Sequence, residues 1–143
     1  MQTYEKKQKV TSYQYTDVTP DESIKEINDM LIKFGAGNIG WVTVNPEASF
    51  IVFGCSEKEQ HLIFKIPFPT GIHNEAQALR ILYHKIKALM IDLELGSKVY
   101  EVFANNLVVE FKGSIPISVQ ERNTRMIAEG DVEKIYLGYK QNG

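Results

Sequence analysis

Cysteine is almost missing from this chain: Cys55 is the only one among 143 residues. No intrachain disulfide can form, which fits a reducing compartment. Histidine is scarce too, and His61, His73 and His84 lie far apart, with no His, Cys or carboxylate partner at ligand spacing. That pattern excludes a structural zinc site. No Gly-x-Ser-x-Gly elbow marks a serine nucleophile. A surplus of basic charge is also lacking: 16 Lys and Arg against 18 Asp and Glu give a net charge of -2. Proteins that neutralise many phosphates usually carry an excess of positive charge. No apolar run approaches the roughly 20 residues needed to span a bilayer. The opening MQTYEKKQKV lacks the apolar core of a signal peptide. A cytoplasmic protein without membrane contact is the expectation.

What is present is the composition of a folded domain, 43% hydrophobic and 24% charged. A chain of this length buries a core of ordinary size. The segment 74–96 dominates it. Leu79, Leu82, Ile86, Leu89 and Leu93 recur at spacings of three and four, the stripe of an amphipathic helix, and Gly96 supplies its stop. Arg80, His84 and Lys87 form a second stripe roughly opposite. Ile81, Ala88 and Ile91 fall outside the main stripe, so a further element must cover that side, and the C-terminal segments are expected to do so.

Thr19-Pro20-Asp21-Glu22 predicts a capped helix start, followed by an apolar face of Ile24, Ile27, Leu31 and Phe34 and a stop at Gly35. Three strands are predicted next: Ile39 to Val44, Ser49 to Cys55 and His61 to Ile66. The turn Asn45-Pro46-Glu47-Ala48 separates the first two. Leu62, Phe64 and Ile66 share one strand face, and Pro67 and Pro69 end the ladder. Beyond the long helix, Ser97 to Phe103 reads as a helical turn or two and Leu107 to Phe111 as a short strand. Ser118 to Glu121 is a second capping box, opening a helix that Gly130 closes. Upstream, VTSYQYTDV reads as an edge strand with Tyr13 and Tyr15 on one face, or as an arm that pairs with a second copy.

These elements predict an α+β fold: an antiparallel three- to four-stranded sheet with two helices on one face, and a C-terminal strand and helix wrapping the long helix. Residues 1–18 form an arm or edge strand, 19–96 the α-β-β-β-α core and 97–143 an extension packed on it. The order resembles that of double-stranded-RNA-binding domains, which imply phosphate contacts at the start of the second helix. Here that stretch is Thr70-Gly71-Ile72-His73-Asn74-Glu75, without a lysine or arginine.

Other chemistries find little footing. Cys55, at a strand end, reads as a small buried residue. Glu57 with Glu59, and Asp131 with Glu133, are pairs that surface loops supply routinely. Gly35-Ala36-Gly37-Asn38-Ile39-Gly40 follows a helix and precedes a strand, the reverse of a phosphate-cradling fingerprint. No catalytic residue, cofactor or metal is expected.

Four stretches resemble a family of small bacteriophage and prophage proteins: IKEINDMLIKFGA, FKIPFP, LRILYHKIKALMIDLELGSKVYEVFANNLVVEFKGS and RMIAEGDVEKIYLG. Together they cover much of residues 20–138. Members typically carry a tryptophan and more arginines near the start of the long helix, where this chain has Leu79, Leu82 and only Arg80. The resemblance implies a phage setting and no activity. The leading expectation is therefore a non-enzymatic accessory protein that binds a host or phage macromolecule, with countering a host defence as one role. Tyr13, Tyr15 and Tyr136 are its candidate protein-interface residues. The alternative is a nucleic-acid-binding protein using Arg80, His84 and Lys87, and a second alternative is an enzyme of unrecognised type. Self-association through the N-terminal arm is also open.

Overall fold

A computed structural model describes residues 10–43, 49–72 and 74–130. The first helix, α1 (Pro20–Lys33), starts where its capping box predicts. Thr19 Oγ1 accepts from the Glu22 amide at 3.2 Å, and the Glu22 carboxylate accepts from the Thr19 amide at 3.3 Å. Gly35, at φ +94, closes the helix in the left-handed conformation that glycine adopts without steric cost.

Strands β1 (Gly37–Val42), β2 (Phe50–Glu57) and β3 (Gln60–Pro67) form an antiparallel sheet in the order β1-β2-β3. Val44 and the turn proposed at Asn45 to Ala48 lie outside the described residues. Glu57 pairs with Gln60, so the β2–β3 loop has only two residues. Lys58 and Glu59 both take positive φ, +50 and +67. A two-residue hairpin loop requires that geometry because its twist matches the strands.

The long helix, α2 (Glu75–Glu94), is capped by Asn74, whose Oδ1 accepts from the Gln77 amide at 2.8 Å. Together α1 and α2 cover one face of the sheet. Ile27 and Leu31 of α1 and Leu79, Leu82, Ile86 and Met90 of α2 enclose Ile51, Phe53, Cys55, Phe64 and Ile66. The two helices run in the same direction. Glu26 meets Arg80 near their starts, and Leu31 and Phe34 share a small apolar crevice with Met90 and Leu93 near their ends. Met90 takes the innermost place, while Leu89 and Leu93 are only half-buried at the flank.

After α2 the chain closes the open end of this core. The short helix α3 (Val99–Val102) presents Phe103, 1% exposed, edge-on to Phe53 at 5.5 Å. A 3-10 turn, Ala104–Asn106, then carries the chain past β3, where Leu107 bridges to Phe64. The hairpin β4 (Val108–Lys112) and β5 (Ile115–Ser118) follows, then α4 (Val119–Ala128), opened by the Ser118–Glu121 capping box. The strand β5 had no sequence signal of its own, being four residues interrupted by Pro116.

Lys65 shows where this extension lies. Phe64 and Ile66 point into the helix-side core, so Lys65 between them points to the other face of the sheet. There it is 5% exposed. Its Nζ donates to the Pro116 carbonyl at 2.8 Å, pairs with Glu121 Oε1 at 3.0 Å and sits 4.5 Å from the Phe50 ring centroid. The α+β class holds, with the extension as a separate two-stranded sheet. The wrap on the long helix is corrected in one respect. Among the described residues the extension meets α2 mainly through α3 and otherwise seats against β3 and the turn beside it. Buried Lys65 draws it there, since an ammonium removed from water needs a carboxylate and a carbonyl. Ala88 and Ile91 are left exposed, with Ile81 half-buried.

Candidate functional site

The edge strand expected around Tyr13 and Tyr15 is absent. Residues 12–15 turn instead, with Gln14 N donating to Thr11 O at 3.1 Å and Thr16 N to Tyr13 O at 3.2 Å. Tyr13 takes φ +58, a left-handed conformation that costs a non-glycine residue roughly 1–2 kcal/mol. Alternation therefore fails, and the two tyrosines share no strand face. Tyr13 is 44% exposed and Tyr15 is 87% exposed.

This segment is a strap across the outer side of α2. Gln77, wholly buried, holds it: its Nε2 donates to the carbonyls of Val10 at 2.8 Å and Ser12 at 3.0 Å. The Val10 amide donates to Gly71 O at 3.2 Å. Beyond Gln77, the Tyr13 ring lies flat on the His84 imidazole, with centroids 4.6 Å apart and planes 9° from parallel. Tyr83 meets the same imidazole edge-on at 4.9 Å. Stacking and edge contacts of this kind fix ring positions beyond what area burial alone does. The strained turn is thus secured on both sides.

The three members of the proposed basic stripe part company. Arg80 is 8% exposed; its Nη2 pairs with Glu26 Oε1 at 2.7 Å, and its guanidinium lies 4.0 Å from the Tyr83 centroid. Its Nε is buried without a hydrogen-bond partner among the described residues. Arg80 sits in the groove between the helices, where the parallel run of α1 brings Glu26 alongside. His84 is partly buried under Tyr13, and burial, with Arg80 and Lys87 adding repulsion against a weaker pull from Glu26, holds its pKa below the ordinary imidazole value. Lys87 alone is exposed, its Nζ 5.7 Å from the Tyr83 centroid.

The structure thus gathers Tyr13, His84 and Lys87 with Glu26, Gln77, Arg80 and Tyr83, and sets Tyr15 at the outer edge of the strap. Tyr136 lies outside the described residues, as do His73, Asp131 and Glu133. Glu26, Gln77 and Tyr83 escaped the sequence reading. Gln77 and Tyr83 each lie three residues from Arg80, which was a usable signal; Glu26 becomes visible only when the helix directions are known.

Cys55 closes one wall of the apolar crevice between the helix ends, and burial pushes its thiol pKa up. A raised pKa keeps the thiol protonated and weakly nucleophilic. Among the described residues no group of three or more His, Cys, Asp or Glu could hold a metal ion. No helix among them is long and apolar enough to cross a membrane. Comparison with family models, curated proteins and solved structures yields no match.

Proposed function

We propose that the chain is a non-enzymatic accessory protein of phage or prophage origin that binds a host or phage protein through the aromatic strap. One observation carries this reading: Tyr15 is 87% exposed on a segment whose neighbours are pinned by a fully buried side chain, Gln77. A tyrosine offers a large amphipathic surface, and interface energy concentrates in a few such residues. Fixing the strap in advance lowers the ordering cost of association. The phage setting, with countering a host defence as one role, is supported by the resemblance of the four stretches in residues 20–138.

The nucleic-acid alternative is supported less well. Arg80 is committed to Glu26 and Tyr83, which leaves Lys87 as the exposed basic member of the stripe. The test has two arms. A protein that co-purifies with the chain is identified, prepared separately and titrated against wild type and Tyr15→Ala. The expected result is a loss of at least about 10-fold in affinity for the variant, with modest salt dependence. In parallel, duplex and single-stranded DNA and RNA are titrated at about 50 and 200 mM salt. Binding that is steeply weakened by salt, or a partner indifferent to Tyr15→Ala, would overturn the proposal.

A further inference from the structure

The outer face of α2 is divided between two fates. Its first half, at Gln77 and His84, lies under the strap. Its second half shows Ala88, Ile91 and Leu95, spaced three and four apart on one line. Ile91 is 54% exposed and Leu95 is 81% exposed. The described C-terminal elements leave this line exposed. An apolar row bare on an otherwise well-packed helix needs an occupant, and the charges beside it say which one.

Two lysine–acid pairs flank the row, each seven residues apart and therefore nearly in line along the helix. Lys85 and Asp92 lie on one side, Lys87 and Glu94 on the other, and all four are exposed. Lys85, Asp92 and Glu94 make no side-chain hydrogen bond or ion pair among the described residues. When two identical helices meet face to face and antiparallel, the same flank of each meets the other. Lys85 of one copy then faces Asp92 of the other, and Lys87 faces Glu94. Two-fold symmetry repeats both contacts, giving four opposite-charge pairs around the apolar row. A parallel arrangement would set lysine level with lysine and acid level with acid. The pattern is self-complementary in the antiparallel sense alone.

We propose that this half of α2 is a homodimer surface on which a second copy docks antiparallel, Ala88 of each copy against Ile91 of the other. In that register Leu95 comes level with His84 of the other copy, where the half-exposed ring of Tyr13 extends the apolar contact. The strap thus ends the interface as well as flanking it. The surface is distinct from Tyr15, so the dimer and the partner binding proposed above stand or fall separately. A contact of about three helical turns is small beside the roughly 1,200–2,000 Å² of stable interfaces, so the dimer is weak and concentration-dependent.

Sedimentation velocity of the full chain, from about 10 to 500 µM in low salt, reads it out, a range set by the weak affinity expected of a small interface. The average mass should rise from 16.3 kDa towards twice that value. Ile91→Lys should abolish the rise. Two charge-reversed proteins test the geometry: Lys85→Asp with Lys87→Glu, and Asp92→Lys with Glu94→Lys. Each alone sets like charges against each other and should stay monomeric. An equimolar mixture restores every pair and should dimerise at least as well as the wild type. All substituted positions are exposed, and unchanged circular dichroism verifies that the variants fold. A wild type monomeric throughout overturns the proposal, as does a dimer indifferent to Ile91→Lys. Failure of the mixture to associate overturns the antiparallel arrangement.

Discussion

Replacing Glu121 by glutamine isolates the contact that ties the C-terminal extension to the sheet. The side chain does two jobs: Oε1 accepts from the Ser118 amide at 3.0 Å, and the carboxylate neutralises Lys65. Glutamine keeps an acceptor for the cap and removes only the charge. The Lys65 side chain is 6% exposed, so its ammonium would be left with neutral partners alone: the amide oxygen, the Pro116 carbonyl and the Phe50 ring. Breaking a fully buried pair costs about 3–5 kcal/mol. Glu121 is 35% exposed, so water already screens the pair and can replace part of it, and the expected cost falls to about 2 kcal/mol. Lys65→Met keeps the stem over Phe50 and leaves one carbonyl unpaired, so about 1 kcal/mol is expected. The double variant should cost little more than Lys65→Met alone, giving a coupling on the order of 1–2 kcal/mol. Urea unfolding followed by Trp41 fluorescence and circular dichroism measures all four proteins; Trp41 is the only tryptophan and donates to Asn28 Oδ1 at 2.8 Å. If Glu121→Gln matched wild type within about 0.3 kcal/mol and the coupling vanished, the ion pair would not be what seats the extension.

Leu82→Ala, at a fully buried position, should cost about 2–5 kcal/mol in the same assay, and an unchanged transition would remove α2 as the centre of the core. Gln77→Ala should free the strap with a loss of about 2 kcal/mol for the two hydrogen bonds to Val10 and Ser12, seen as faster hydrogen exchange at Val10. Exchange there that stayed slow would show the strap is held elsewhere. Replacing Lys58 and Glu59 together by Asn-Gly should raise stability by about 1 kcal/mol, because both positions need positive φ. His84 has a folded-state pKa below its unfolded value, so the unfolded chain binds the proton more readily. Its neutral-state advantage is complete above pH 6.5 and is eroded as pH falls below it, and His84→Gln should flatten that part of the stability profile.

The elements that sequence revealed are those whose signals are local. Thr19 with Glu22 and Ser118 with Glu121 are three residues apart, and the caps formed as read. The stripe at Leu79, Leu82 and Ile86 depends only on helical spacing. What escaped reading depends on distant partners. Arg80 has the spacing of a solvated residue and is buried because Glu26, 54 residues away, runs beside it. Lys65 is buried because Pro116 and Glu121, 51 and 56 residues further along the chain, cover it. Tyr13 and Tyr15 fit a strand pattern, yet Gln77 bonds the backbone nearby into a turn. A period-two pattern of four or five residues is too short to decide against such a contact. The candidate site inherits this limit, since Tyr13, His84 and Glu26 meet only through tertiary packing.

The sheet's two borders differ in what they permit. Beside β3 the Leu107 bridge and the turn following α3 occupy the margin. On the other side, among the described residues, β1 has no neighbour beyond β2, so its outer amides and carbonyls are a template for an added strand. The pairing of β1 with β2 slips between Gly37 and Gly40, and Asn38 within it takes φ +50. A slip of this kind twists and shortens the straight run that an incoming strand could follow. Only Gly40 to Val42 remain in unbroken register, three residues against the five or six of an ordinary strand. Runaway edge-to-edge stacking, the route to fibrils, is thereby blunted at this margin. Concentrated solutions of this chain should accordingly form side-chain-mediated, reversible species and show no thioflavin-positive fibres, whereas restoring a regular six-residue β1 would open that route.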